Sequence, residues 1–221
     1  MESPNTSGLE KTMEHPKVSA YLWMNPPVHS FSSSHAPTLN LTLVSHHPEP
    51  ITIYTDDLAV DVMLLTGAFV IFDLGTGAEI QQSKRTHCRT PLPERIRIPL
   101  HEHLFHSLIP GTPLTLTTSF SRKRESTGGK PLSKSDPGFN DDGVIYTCGV
   151  DGLEPGREYA LMLADNPRVR WDVVRWWEYG SKKEVLEERL DGRQVHYGKG
   201  PHQPIVIDTS GFKGLLFECA E

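Results

Sequence analysis

Two runs in this 221-residue chain carry the residue types that chemistry needs: Trp171-Asp172-Val173-Val174-Arg175-Trp176-Trp177-Glu178-Tyr179 and His101-Glu102-His103-Leu104-Phe105-His106. The first places three of the four tryptophans within seven positions. Read as one strand, it puts Trp171, Val173, Arg175 and Trp177 on one face, and Asp172, Val174, Trp176 and Glu178 on the other. Each face then carries an aromatic ring and an ionisable group. Such a mixture holds a planar ligand or anchors a protein interface through Trp171, Arg175, Trp176, Trp177 and Tyr179. If the region is catalytic, Asp172, Glu178 and Arg175 are the candidates, with a carboxylate or a histidine as the acid–base group. The competing assignment is structural. There the tryptophans pack the core and cap the following helix, and arginine stacks on the rings.

Eleven histidines is a high count, and three of them fall in the second run. A helical zinc-protease motif needs histidines four apart, but the residue four after His101 is Phe105. In an extended strand, His101 and His103 share a face and are weak candidates for metal ligation, with a third ligand from His46, His47 or His87. The expectation is nonetheless a solvated segment with no metal. Cys88 follows His87 directly, so on a strand the two point to opposite faces, and the histidine cannot easily activate the thiol. There is no Gly-x-Ser-x-Gly elbow and no phosphate-binding loop, and Gly75-Thr76-Gly77 is a hairpin turn rather than a dinucleotide fingerprint. No cofactor is expected.

Bulk composition narrows the partners. A formal net charge of −6 opposes nucleic-acid binding and electrostatic docking to anionic membranes. Three cysteines, Cys88, Cys148 and Cys219, are too sparse and uneven for a disulfide framework. The N-terminus shows no signal-peptide pattern and no stretch reaches the length of a membrane span, so a cytoplasmic location is expected. The partner is therefore a protein or a small-molecule ligand.

The elements that must position these residues are mostly strands. Gly 18 and Pro 18 disfavour long helices and favour short elements joined by turns. Residues 1–16 are polar and aperiodic, which predicts a disordered tail before a single domain at 17–221. Alternation marks strands at Val18–Trp23, Leu39–Val44 and Ile51–Tyr54, the last two as a hairpin. Further strands are expected at Phe69–Leu74, returning through Ala78–Gln81, and at Arg95–Ile98 and Leu114–Thr117. Residues 122–143 form a long polar insertion, expected to be mobile. Val144–Tyr146, Tyr159–Leu163, Ile205–Ile207 and Leu215–Phe217 are the later strands. The one short helix is expected at 181–190, with Ser181 and Glu184 as a capping box. The class is thus mainly β, an antiparallel β-sandwich.

Gly152-Leu153-Glu154-Pro155-Gly156-Arg157-Glu158-Tyr159, followed by Ala160-Leu161-Met162-Leu163, resembles the corner before strand F in fibronectin type III and other immunoglobulin-like domains. The resemblance implies an immunoglobulin-like sandwich in which Tyr159 is structural, its hydroxyl bonding backbone upstream, with Leu153 plugging the core and Gly156 turning the chain. Leu108-Ile109-Pro110-Gly111 repeats the Leu, Pro-Gly logic without a tyrosine. The wider pattern is similar to uncharacterised fungal β-sandwich proteins and, distantly, to immunoglobulin-like regions of some fungal proteases. The resemblance carries a fold and no activity.

The expected function is a non-catalytic binding or interaction module using an aromatic surface or groove. The alternative is a cofactor-independent cyclase, isomerase or dehydratase of small-molecule biosynthesis, and the third choice is a metal-binding protein. A concave pocket holding a buried acid or histidine separates the enzyme from a partner surface.

Overall fold

Period-two burial begins at the first strand. In β1 (Val18–Asn25) Val18, Ala20 and Met24 are buried, whereas Tyr21 and Trp23 point outward. The structure, a computed structural model, describes residues 14–82, 101–121, 149–165, 171–187 and 200–221, with the backbone of 95–97 and 194–196. The chain is mainly β. After β1 come β2 (Val28–Ser30), β3 (Thr38–Ser45), β4 (Ile51–Tyr54), β5 (Phe69–Asp73), β6 (Glu79–Ile80), β7 (Arg95–Arg97), β8 (Phe105–Leu108) and β9 (Leu114–Ser119). They are followed by β10 (Arg157–Leu163), β11 (Val173–Val174), β12 (Trp177–Tyr179), β13 (Gln194–His196), β14 (Ile205–Asp208) and β15 (Leu215–Ala220). Helix α1 spans Val60–Thr66 and α2 spans Lys182–Glu187. The expected insertion at 122–143, the strand at Val144–Tyr146 and most of the N-terminal tail lie outside the described residues.

One five-stranded sheet has the order β11-β14-β1-β3-β9, and a second has β2-β15-β10-β5-β6. Each is antiparallel except for one parallel pair, β1 with β14 and β15 with β2. Their apolar faces meet in one cluster. Val18, Leu39, Leu41, Leu43 and Ile207 from the first sheet pack with Ile71, Tyr159, Leu161 and Phe217 from the second. Phe120, fully buried after β9, lies edge-on to Phe217 at 5.3 Å. A three-stranded sheet, β12-β4-β8, adjoins this core, and β13 pairs with β7.

The expected hairpin of Leu39–Val44 with Ile51–Tyr54 does not form. β3 pairs with β1 and β9, while β4 pairs with β12 and β8. All four residues of β4 are buried, a pattern that suits a strand covered on both faces, so the chain leaves the first sheet at the His46–Pro50 turn. The apolar run from Val60 folds as α1, with Met63, Leu64 and Leu65 buried and Gly67 closing it at φ 76° in the left-handed region. By contrast, the Gly75-Thr76-Gly77 turn joins β5 to β6 as expected, with the Gly77 N–H donating to Asp73 O at 2.8 Å.

The corner at 152–159 has the geometry its residues imply. The Tyr159 hydroxyl accepts the Glu154 N–H at 2.8 Å, its ring is fully buried and it stacks on Phe217 at 5.5 Å. Leu153 is buried in the core, and the Gly156 N–H donates to Cys219 O. Arg157 clamps this corner to β5 through Asp73 at 2.6 Å.

Candidate functional site

The Trp171–Tyr179 run is not one strand. β11 pairs with β14 in the first sheet, whereas β12 pairs with β4 in the three-stranded sheet. The chain changes sheets at Arg175-Trp176, which breaks the expected alternation. Trp171, Trp176 and Trp177 are all buried, and Arg175 is exposed. Each tryptophan buries roughly 200 Å² of side chain, worth about 5 kcal/mol at 25 cal/mol per Å². That gain draws the rings inward and leaves no tryptophan of this run on the surface.

What the run does bring together is a histidine–carboxylate pair beside aromatic rings. His202 stacks on Trp177 with ring centres 4.3 Å apart, and its Nε2 lies 2.9 Å from Glu178 Oε1. The Trp177 indole N–H donates to Gln203 O at 2.7 Å, which docks the 200–204 loop on β12. Tyr179 lies 5.1 Å from His202 and 5.4 Å from His47, and His15 meets Trp177 edge-on. Burial first, then the Glu49 and Glu178 carboxylates, push the Tyr179 hydroxyl above its ordinary pKa of 10.0. Both members of the His202–Glu178 pair are partly exposed. Asp172 is half-buried, and its carbonyl accepts the Ile207 N–H. His202 was not among the candidates read from sequence, because it is 24 residues from Glu178 and no local spacing joins them.

His101 and His103 do not share a strand face. Glu102–Leu104 winds into a 3-10 turn, with His101 at its N-terminal end. Among the described residues, no group of three or more His, Cys, Asp or Glu is placed to hold a metal. His46 bonds Ser19 at 2.7 Å, and His47 lies near Tyr179. His87, Cys88 and Cys148 lie outside the described residues.

Outside this run, two aromatic rings share an exposed strand face. On the outer face of the first sheet, Tyr21 and Trp23 are 46% and 42% exposed. They occupy alternate positions of β1 and so share one face. Register sets Tyr21 beside Thr42 and Thr115, and Trp23 beside Asn40 and Thr117. The Trp23 indole N–H donates to Thr42 Oγ1 at 3.0 Å, and Thr42 Oγ1 is 3.0 Å from Thr115 Oγ1. Thr117 donates to Asn40 Oδ1 at 2.8 Å. Tyr21 is braced by Gly211, where an added Cβ would sit 3.2 Å from Tyr21 Cε1. Alternation in β1 is the sequence signal for this face. It fixes which residues go together but not which set faces water.

Two concavities occur among the described residues. A void of about 10 Å³ lies behind Tyr21, walled by Leu22, Leu41, Phe69, Trp171 and Phe212. It has room for about one water and no acid, base or histidine in its wall. An open depression on the second sheet is lined by Val70, Phe72, Met162, Glu79 and Asp165. No helix among the described residues is long and apolar enough to cross a membrane. No protein-family model, curated protein or solved structure matches the chain.

Proposed function

We propose that this chain is an immunoglobulin-like β-sandwich that works as a non-catalytic binding module, and that its recognition surface is the outer face of the first sheet at Tyr21 and Trp23. The observation that carries the proposal is the joint exposure of two large aromatic rings on one strand face. Exposed Trp and Tyr rings are costly to leave in water and are over-used where proteins bind. The Thr42 bond to Trp23 holds the indole in place, so binding forfeits little side-chain freedom. The tyrosine corner at Tyr159 supports the immunoglobulin-like assignment.

A ligand-observed NMR screen of small aromatic and polar fragments on the full chain tests the face. Hits should be lost in a folded Tyr21→Ala/Trp23→Ala variant. Hits that persist unchanged in that variant would defeat the proposal.

A second reading rests on the Glu178–His202 pair. Carboxylate and imidazole at 2.9 Å are an acid–base couple of the kind that cofactor-independent isomerases, cyclases and dehydratases need. Among the described residues, neither concavity above includes that couple. Turnover of any small molecule that disappears in Glu178→Gln, with folding intact, would establish this second reading over the first.

A further inference from the structure

We infer that the Tyr21–Trp23 face binds a neutral carbohydrate, with sugar rings stacked on the two aromatic side chains. The inference rests on the binding face proposed above and names its ligand class.

Charge is the first discriminator. None of the residues of β1, β3 and β9 is Asp, Glu, Lys or Arg. A face that stacks the bases of single-stranded nucleic acid needs a cationic groove to track the phosphates, and none runs through these strands. The same lack of cations disfavours uronic or sulfated glycans and acidic peptides. The nearest charges lie at one end of the face: Asp208, opposite Ser19, accepts the Ser210 N–H, and Lys17, two residues before Ser19, is paired with Glu14.

The second discriminator is the kind of polar group present. The rings are bordered by the hydroxyls of Ser19, Thr42, Thr115 and Thr117, while Asn40 is buried with its amide bonded to Thr38 and Thr117. Hydroxyls both donate and accept, which matches a ligand whose own groups are hydroxyls. Thr42, already bonded to Trp23 and Thr115, holds the indole N–H, and Trp23 remains 42% exposed for stacking. A protein partner would call for broad apolar area and arginine around the aromatic anchors, and threonine and serine do not supply it.

Spacing is the third. Tyr21 and Trp23 are two residues apart on one strand, so their Cα atoms are separated by about 7 Å. Two stacking planes at that separation, one braced by Gly211 and one bonded to Thr42, suit successive rings of a chain better than a single small molecule.

The test uses the full chain in affinity electrophoresis through gels containing soluble neutral polysaccharides (a β-glucan, an α-glucan, a mannan and a xylan), with polygalacturonate and single-stranded DNA as charged controls. At least one neutral polysaccharide should retard the protein, and the charged polymers should not. Trp23→Ala and Tyr21→Ala should each weaken retardation about tenfold or more, and Trp23→Phe should keep part of it. Trp23 is exposed whereas Trp171, Trp176 and Trp177 are buried, so acrylamide quenching of the unmodified protein reports on this site without any variant. A binding saccharide should shield Trp23. The inference is overturned if no neutral polysaccharide retards the protein, if the alanine variants bind as well as the parent, or if a charged polymer or a peptide library is preferred. Absence of all saccharide binding while fragment hits still depend on Tyr21 and Trp23 removes the carbohydrate and leaves the binding face. Loss of both removes the face as well.

Discussion

Trp176 and Trp177 are neighbours in sequence, yet their rings are buried in separate hydrophobic clusters. Trp176 meets Phe105 edge-on at 5.1 Å, within a cluster that includes Tyr54, Val185 and Leu186. Trp177 belongs to the main core, and His202 lies against it. The division follows from the sheet change between β11 and β12, which turns consecutive side chains to opposite sides of the three-stranded sheet. It makes one helix and one loop depend on two adjacent residues.

Trp176→Ala and Trp177→Ala should therefore each cost about 3–5 kcal/mol in urea unfolding, the usual range for truncating a buried tryptophan. Their local effects should differ. Hydrogen exchange should speed up in 182–187 for Trp176→Ala and in 200–204 for Trp177→Ala. If both variants kept parental stability, the two rings could not be core residues.

The corner tyrosine gives a smaller, sharper effect. Tyr159→Phe keeps the stack on Phe217 but removes the hydroxyl that accepts the Glu154 N–H. A loss of about 1 kcal/mol is expected from chemical denaturation. A neutral result would mean that water replaces the hydroxyl at no cost.

Gly149 has no room for a side chain. Its φ is +86°, and an added Cβ would sit 2.3 Å from Phe120 Cε2. Phe120 is fully buried and cannot swing away. Gly149→Ala should lower stability by at least about 2 kcal/mol, combining left-handed strain with displacement of the ring. Melting within a degree of the parent would show that the ring yields.

Acid should weaken the β5–β10 clamp. The Arg157 hydrogen bond, then the Thr76 N–H, hold the Asp73 carboxyl below its ordinary pKa of 3.8. A carboxyl with a depressed folded value stabilises the fold above its unfolded pKa. That contribution is lost as pH falls through the lower folded value. Stability should thus decline on acidification below about 3.8, and Asp73→Asn should flatten that limb of the curve. Equal slopes for parent and variant between pH 4 and pH 2 would refute the clamp's role.

The elements were largely legible in the sequence because strand burial has a period of two, and two side-chain signals are local. Val18, Ala20 and the leucines of β3 announce their strands by alternation. Ser181 and Glu184 announce α2: Glu184 Oε2 accepts the Ser181 N–H at 2.8 Å and the Ser181 hydroxyl at 2.7 Å. Gly152 to Tyr159 carries its own corner, since the hydroxyl bonds a group only five residues away. The α1 helix was missed because its helical spacing, Val60 with Met63 and Leu64, spans only seven residues, about two turns.

Pairing and exposure were not local. β3 and β4 are separated by a five-residue turn that reads as a hairpin, yet they belong to different sheets because β4 needs apolar cover on both faces. The Trp171–Tyr179 run held the aromatic types for a binding surface, and burial took its tryptophans inward. Tyr21 and Trp23 were visible as alternating partners of Val18 and Ala20. Only the packing of the two sheets, which places Val18 and Ala20 against the core, decided that these two rings face water. The sequence by itself determined which side chains travel together along a strand, because backbone geometry is local. The tertiary structure alone decided which face each set presents, because burial depends on contacts between strands far apart in the chain.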